Sequence, residues 1–344
     1  MLMPVITSCV VVLLLTPLIR KIALRYNFLD NPDHRKTHKH PVPLLGGAAI
    51  FAGLVSGHLF NLTSFHYFLP LIAGAGIIFI MGIIDDKKGL SCSIRLAGQL
   101  AASLIIICSG YRIDFLPNTA AGTAGEVLLT IIWIAGITNA VNYLDGLDGL
   151  AAGITAISSL CFAVISYMTG QDMICMLSLI LMASCLGFLP HNFKQEKMFL
   201  GDAGSTLMGF VLASIAVIGH WASDNVIRLS VPLLVLGVPI FDMTFTTIMR
   251  IREKKVSNII EWLRYAGKDH FHHRLMDVGF DSLGSVLIIC SVTFSMGISA
   301  IVISHAQEPL EGIKAVIQGA IIFGIIGMLM VGGARHGRRW EMTD

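Results

Sequence analysis

Four short polar stretches carry the residue types that could do chemistry. Asp85 and Asp86 stand side by side in GIIDDKK, Asn142, Asp145 and Asp148 fall in NYLDGLDG, Asp202 lies in MFLGDAGST, and His270, His272 and His273 cluster in DHFHHRL. Each has an ordinary reading beside a chemical one. Adjacent carboxylates at a helix C-terminus repel each other and meet the negative end of the macrodipole, so they need a cation, which Lys87 and Lys88 could supply in a merely structural turn. In NYLDGLDG, Gly146 and Gly149 fit an Asp-Gly turn with positive φ at a helix end. That turn leaves two aspartates unbalanced, because no Lys or Arg occurs between Leu128 and Lys194. Their partner is then a distant cation, a metal ion or the donors of a ligand. Asp202 could simply cap the following helix, yet a helix N-terminus can also seat a phosphate, and a carboxylate beside it can hold the divalent ion a phosphate brings. Asn192 sits ten residues earlier, at the foot of another apolar run. The histidines lack a partner Cys or an HExxH spacing for zinc, and on a helix the first two would not share a face. As donors, with Lys268 and Arg274, they suit an anionic ligand. Carboxylates fit for Mg²⁺, with Mn²⁺ as the substitute, and a set of basic side chains together imply a phosphate-bearing substrate.

The elements that must position these residues are membrane helices. Of 344 residues, 55% are hydrophobic and 13% charged, about half the roughly 25% charged residues of a soluble domain; mean hydropathy is +0.76. Apolar runs near the bilayer-spanning length recur from end to end and leave no room for a separate soluble domain. They lack the alternation of a transmembrane barrel, so helices are expected. The reading is one all-α, polytopic integral-membrane domain over 1–344 with eleven spans, near 2–20, 44–61, 67–84, 95–110, 127–142, 149–168, 172–190, 204–221, 229–249, 284–304 and 314–333. Positive charge after the first run (Arg20, Lys21, Arg25) and none before it marks a transmembrane helix rather than a cleaved leader, with the N-terminus outside. An odd number of spans puts the C-terminus in the cytoplasm. All but three of the 24 Lys and Arg residues then fall on the cytoplasmic side, Arg112, Arg228 and Lys314 being the exceptions, as the positive-inside rule requires. The same topology gathers the polar motifs on one face, formed by loops 20–43, 85–95, 142–149, 190–203 and 250–283. Residues 111–126 read as an ordinary solvated connection, and 256–265 as either a short interfacial helix with Trp262 and Tyr265 at headgroup level or a plain loop. The seven cysteines are scattered without a CxxC pair and read as small core residues.

The set RKTHKHPVPLLGG, GIIDDKKGLS, NAVNYLDGLDGLAAG, NFKQEKMFLGDAGSTLMGF and HFHHRL resembles, in order and spacing, the polyprenyl-phosphate N-acetylhexosamine-1-phosphate transferases of glycosyltransferase family 4. The PLLGG and HxHH forms are similar to the bacterial WecA/TagO branch rather than to MraY. The resemblance implies transfer of HexNAc 1-phosphate, GlcNAc 1-phosphate in this branch, from a UDP-sugar to undecaprenyl phosphate. UMP is released, and the lipid-linked diphosphosugar starts a cell-envelope polysaccharide. The place implied is the bacterial inner membrane with a cytoplasmic active site. No nucleic-acid partner is implied, and a homodimer stays open. By the same resemblance Asp85 and Asp86 match the paired catalytic aspartates, Asp85 toward the lipid phosphate, and Asp202 matches the metal ligand. Asn142, Asp145 and Asp148 match the motif near the nucleotide, Phe199 an aromatic able to stack on uracil, and Asn192 the NxxxF-GD asparagine, counted with them among the substrate-binding residues. His270, His272 and His273 match the HxHH donors to the phosphates or sugar, and Arg95 the basic residue ahead of Gln99. One departure is Gly89, where MraY members have a lysine, so that Lys87 or Lys88 would have to serve.

Two other classes compete. An intramembrane aspartyl protease would need GxGD, and Phe199 occupies the first glycine. An ion-coupled transporter would place its ionisable groups near the bilayer midplane. Here they cluster at span ends. Asp242, in PIFDMTF, comes nearest to an exception and is expected to be an interior-facing structural partner.

Overall fold

The computed structural model describes residues 2–30, 40–59, 62–193, 198–265 and 267–340. The basic stretch 31–39, with Arg35, Lys36 and Lys39, and the segment 194–197, with Lys194 and Lys197, lie outside the described residues. The described chain is helical apart from one antiparallel pair of two-residue strands, β1 (Leu29–Asp30) and β2 (Val42–Pro43). Among the described residues, eight helices are long and apolar enough to cross a membrane, or up to nine if one bent pair is a single span. This is a multi-pass, all-α membrane protein. Its helices follow from the same cause as in any bilayer, where each backbone N–H and C=O must find its partner within the segment.

The chain divides into two compact units, residues up to His220 and residues from Trp221. The first holds α1 (Leu2–Arg25), α2 (Gly46–Leu59), α3 (Leu62–Lys88), α4 (Cys92–Cys108), α5 (Ala120–Tyr143), α6 (Leu150–Met168), α7 (Asp172–Asn192) and α8 (Gly201–Ile218). At its centre is α8, 83% buried over its apolar window against 22% for α1 and α5. It is enclosed by α2, α3, α5, α6 and α7. Two of the eleven expected spans, α2 and α4, are shorter apolar helices.

The connection 111–126 is more ordered than its turn residues suggest. Thr119 Oγ1 accepts the Gly122 N–H at 3.0 Å and starts α5 there, so residues 120–126 are helical. Glu126 is buried (3% exposed). It accepts from Arg112 Nε at 2.9 Å and from the amides of Phe115 and Leu116 at 3.1 and 3.0 Å. An apparently solvated carboxylate is thus the anchor that folds the loop back on its helix.

The second unit holds α9 (Asn225–Val235), α10 (Gly237–Arg252), α11 (Ile259–Arg264), α12 (Phe271–Asp277), α13 (Ser282–Ile303) and α14 (Pro309–Trp340). The span expected over 229–249 is broken: α9 and α10 meet at Leu236 with a 75° bend. Gly237 opens α10, and Pro239 in its first turn offers no N–H to the preceding carbonyls, so the ladder stops there. Residues 256–265 do form a short helix, α11, whose Trp262 donates its indole N–H to Thr247 Oγ1 at 2.9 Å. Phe241 is the hub of an aromatic core, stacked on Phe245 and Phe323 and edge-on to Phe271.

Candidate active site

In the first unit the acidic motifs converge on the N-terminus of α8. Leu200 gives that helix no side-chain cap. The cap comes from α3: Asp86 accepts the amide N–H of Asp202 at 2.7 Å and of Ala203 at 3.3 Å. Asp202 itself does not cap. Its Oδ1 accepts from Asn142 Nδ2 at 2.7 Å, while the same Nδ2 donates to Ser205 Oγ at 2.8 Å. Asn142, on the last turn of α5, therefore orients Asp202 from across the bundle. Such an approach requires glycine. Gly201 has φ +70°, and a Cβ there would lie 2.5 Å from Asp86 Oδ2. A Cβ on Gly82 would fall 2.3 Å from the Ala203 Cα, in the backbone of α8.

The PLLGG stretch supports the same point. The Gly46 and Gly47 amides, unsatisfied at the start of α2, donate to the carbonyls of Phe199 and Leu200 at 3.0 Å each, and Phe199 N–H donates to Pro43 O at 2.9 Å. That stretch is the cradle of FLGD. Asn192 joins it to NYLDGLDG: its Oδ1 accepts the Gly149 N–H and its Nδ2 donates to Met198 O at 2.9 Å. With 3% exposure and both amide ends committed to backbone, Asn192 ties two loops together. Of the two turn glycines, Gly149 has the expected positive φ (+77°) and Gly146 does not.

Asp85 is nearly buried and accepts the Leu90 amide at 2.6 Å, with Arg95 Nη1 3.4 Å from its other oxygen. Lys87 turns away, donating to Tyr26 O at 2.7 Å and lying over the Phe28 ring. Gln99 exchanges two hydrogen bonds with Asn139. Asp145 is half-buried in the turn after α5. Burial, followed by the charges of Asp202, Asp86 and Asp148, pushes its carboxyl up to about 8. Phe199 is half-buried on the FLGD segment. Sequence reasoning missed Ser205, and also Asp30 of β1, whose charge acts on Asp202.

These carboxylates fit a divalent ion of the magnesium type. Among the described residues no group of three or more His, Cys, Asp and Glu side chains forms a metal cage. Mg²⁺ does not need one, since it takes one or two carboxylates and completes its octahedron with water and phosphate oxygens. A carboxyl driven upward by burial and then by three acidic neighbours is the environment a cation would relieve.

In the second unit the HxHH histidines sit at the start of α12. His270 occupies the N-cap position rather than the helix, so its ring and that of His272 lie 6.4 Å apart and nearly parallel. The expectation that they could not share a face fails because the first of them is not helical. Asp242, fully buried, accepts from His270 Nδ1 at 2.8 Å and from the Phe271 amide at 2.6 Å, the interior partner expected of it. Arg250 and Asp269 form a buried two-point pair at 2.8 and 2.7 Å. Burial would push Asp269 up, but the Arg250 hydrogen bonds and charge outweigh it and hold the carboxyl below its ordinary value. Removing either partner would leave a buried uncompensated charge, a cost of about 3–5 kcal/mol. His272 is 1% exposed, with no hydrogen-bond partner for either ring nitrogen among the described residues. Burial holds it well below its ordinary value, and burial likewise lowers His273.

An all-α membrane protein with carboxylates gathered at a helix N-terminus is the setting for glycosyl transferase family 4, whose model matches residues 68–220. The chain belongs to the polyprenyl-phosphate N-acetylhexosamine-1-phosphate transferases of that family. It is 38% identical over 307 residues to the "Probable undecaprenyl-phosphate N-acetylglucosaminyl 1-phosphate transferase" of Bacillus subtilis, covering 88% of this chain and 84% of the relative. It is 33% identical over 319 residues to the decaprenyl-phosphate N-acetylglucosaminephosphotransferase of Mycobacterium tuberculosis (83% and 78% covered). To the undecaprenyl-phosphate alpha-N-acetylglucosaminyl 1-phosphate transferase of Escherichia coli K12 it is 28% identical over 284 residues (78% and 75% covered).

Proposed function

We propose that this protein transfers N-acetylglucosamine 1-phosphate from its UDP-sugar to undecaprenyl phosphate, releasing UMP and leaving a lipid-linked diphosphosugar that begins a cell-envelope polysaccharide. The names of its relatives support the lipid acceptor and the sugar phosphate. The structural observation carrying the proposal is the acidic cluster at the α8 N-terminus, where Asp86 caps the helix and Asn142 orients Asp202. Neither alternative gains support. The aspartates stand at helix ends, and Phe199 still occupies the glycine position an aspartyl protease needs.

A lipid phosphate oxygen attacks the sugar-bearing phosphorus of the UDP-sugar in line with the bond to UMP. The new P–O bond forms as the bond to the bridging oxygen breaks, and UMP leaves with the electron pair and its charge. The lipid phosphate is already largely ionised near neutrality, its second pKa being about 6 by analogy with phosphate monoesters. Asp85, with Arg95 beside it, therefore orients the acceptor more than it deprotonates it. Asp202, with Asp86 and Asp145 near it, would hold Mg²⁺, and the ion would supply charge neutralisation on the phosphates. Asp145 and Asp148 orient the nucleotide sugar, Phe199 stacks on uracil, and Asn192 holds the two loops that carry them. The HxHH segment is assigned to the phosphates or sugar by the family resemblance, and His273 is the least buried of its three histidines.

The same reading has eleven spans, obtained by adding α2, α4 and the bent α9–α10 pair to the eight long helices. The N-terminus is outside, and the active face is on the cytoplasmic side of a bacterial inner membrane. A panel of UDP-sugars tests the donor. UDP-GlcNAc should release UMP at least tenfold faster than UDP-GalNAc or UDP-glucose, and faster release from another sugar would reassign the donor.

A further inference from the structure

His270 differs from its two neighbours in having both ring nitrogens engaged. Nδ1 lies 2.8 Å from Asp242 Oδ2, and Nε2 lies 3.3 Å from Arg250 Nη2. A guanidinium only donates, so Nε2 must accept, and the ring is neutral with its proton on Nδ1, donated to Asp242. The other oxygen of Asp242 accepts the Phe271 amide at 2.6 Å. One fully buried carboxylate thus fixes the His270 side chain and the backbone of the residue after it. The network closes on itself. Arg250 is gripped by Asp269, the residue before His270, and Arg274 Nε donates to the Asp269 carbonyl at 2.8 Å. Phe271, 0% exposed, packs edge-on against Phe241.

Resting on the transferase reading above, we propose that Asp242 is a positioning residue for the transfer: it sets the tautomer of His270 and anchors the Phe271 amide, and so fixes the backbone that carries His272 and His273. His270 is then the post of the loop, and His273, half-buried where His270 and His272 are buried, is the ring left to meet the anionic substrate. A carboxylate that orients a histidine through Nδ1 acts on geometry and tautomer without touching the reacting atoms. It lies on α10, 28 residues before the histidine it orients.

Asp242→Asn tests the assignment. Its amide would donate to Nδ1, so the ring proton would move to Nε2 and face the Arg250 N–H groups. UMP release should fall about 10²-fold, as for a small misplacement of catalytic groups. In nitrogen-15 spectra of histidine-labelled protein, assigned by the signal lost in His270→Asn, His270 should carry its proton on Nδ1 in the wild type and on Nε2 in Asp242→Asn. His270→Asn can place an N–H where Nδ1 was and keep the bond to Asp242. It should stay within about tenfold of wild type, whereas His270→Ala falls about 10²-fold. Equal losses in His270→Asn and His270→Ala, in proteins that melt like wild type, would overturn the proposal and make His270 a direct substrate ligand. So would a wild-type spectrum with the proton on Nε2. Should Asp242→Asn fail to fold, the His270 pair and the wild-type spectrum decide. A wild type that releases no UMP from any UDP-N-acetylhexosamine would sink the transferase reading instead, while the tautomer measurement would still decide the geometry.

Discussion

Asp145 holds its proton up to about pH 8 because it is half-buried beside Asp202, Asp86 and Asp148. The unfolded chain releases that proton near the ordinary aspartate value, about 4. Between those two values the folded state binds more protons than the unfolded state, so this residue makes stability fall as pH rises from about 4 to about 8. Asp145→Asn should therefore raise the melting midpoint of the metal-free, detergent-solubilised protein more at pH 8 than at pH 5. The gain is roughly 2–4 °C for each kcal/mol of repulsion removed. Equal midpoints at pH 8 would mean that Asp145 is not repelled by its neighbours. At this scale the sequence exposes which residues are polar and where they recur, but not what each one bonds. Asp86 reads as one of a pair and is a helix cap for another segment. Asn192 reads as a substrate contact and spends its amide on two backbone groups. Lys87 reads as a compensating cation and goes to Tyr26 O. Each of these partners is remote in sequence, at 116, 43 and 61 residues respectively, and no local pattern encodes it.

The helices were legible to within a few residues wherever an apolar run was uninterrupted, as for α6, predicted near 149–168 and found at Leu150–Met168. They were not legible where a tertiary contact or a backbone break decides the end. The Thr119 cap starts α5 seven residues further out than its apolar run, and Gly237 with Pro239 breaks the span over 229–249. The same scale governs how closely α3 may approach α8. Gly82→Val would drive a side chain into the Ala203 backbone, which cannot move aside as a flexible side chain could. Overpacking of this kind costs about 1–3 kcal/mol. Separation of the two helices would also loosen the bonds from Asp86 to the Asp202 and Ala203 amides. Activity should drop about 10²-fold with at most a modest loss of melting temperature. Wild-type activity in Gly82→Val would show that the cap from Asp86 is dispensable.

At the scale of the whole molecule, the proposed orientation rests on charge asymmetry, since one miscounted span would scramble every loop after it. The proposed topology is open to direct labelling. In a cysteine-free background, single cysteines at positions 112 and 228 should react with a membrane-impermeant maleimide in intact cells, and one at 253 only after permeabilisation. Labelling of 253 from outside would reverse the orientation or remove a span. The family was legible from five linked motifs, and the relatives bear it out over most of the chain. The split into two compact units was not, because both are built from the same kind of apolar helix and no composition change marks Trp221.

The central claim is that the acidic cluster at the α8 N-terminus supports attack of a lipid phosphate on the sugar-bearing phosphorus. The direct test follows UDP-GlcNAc labelled in that phosphate, incubated with the purified protein, undecaprenyl phosphate and Mg²⁺. The label should pass into the lipid fraction with one UMP released per lipid product, and transfer should stop on chelation and in Asp202→Asn. Label that stays in the aqueous phase with every UDP-N-acetylhexosamine, or transfer undiminished in Asp202→Asn, would contradict it.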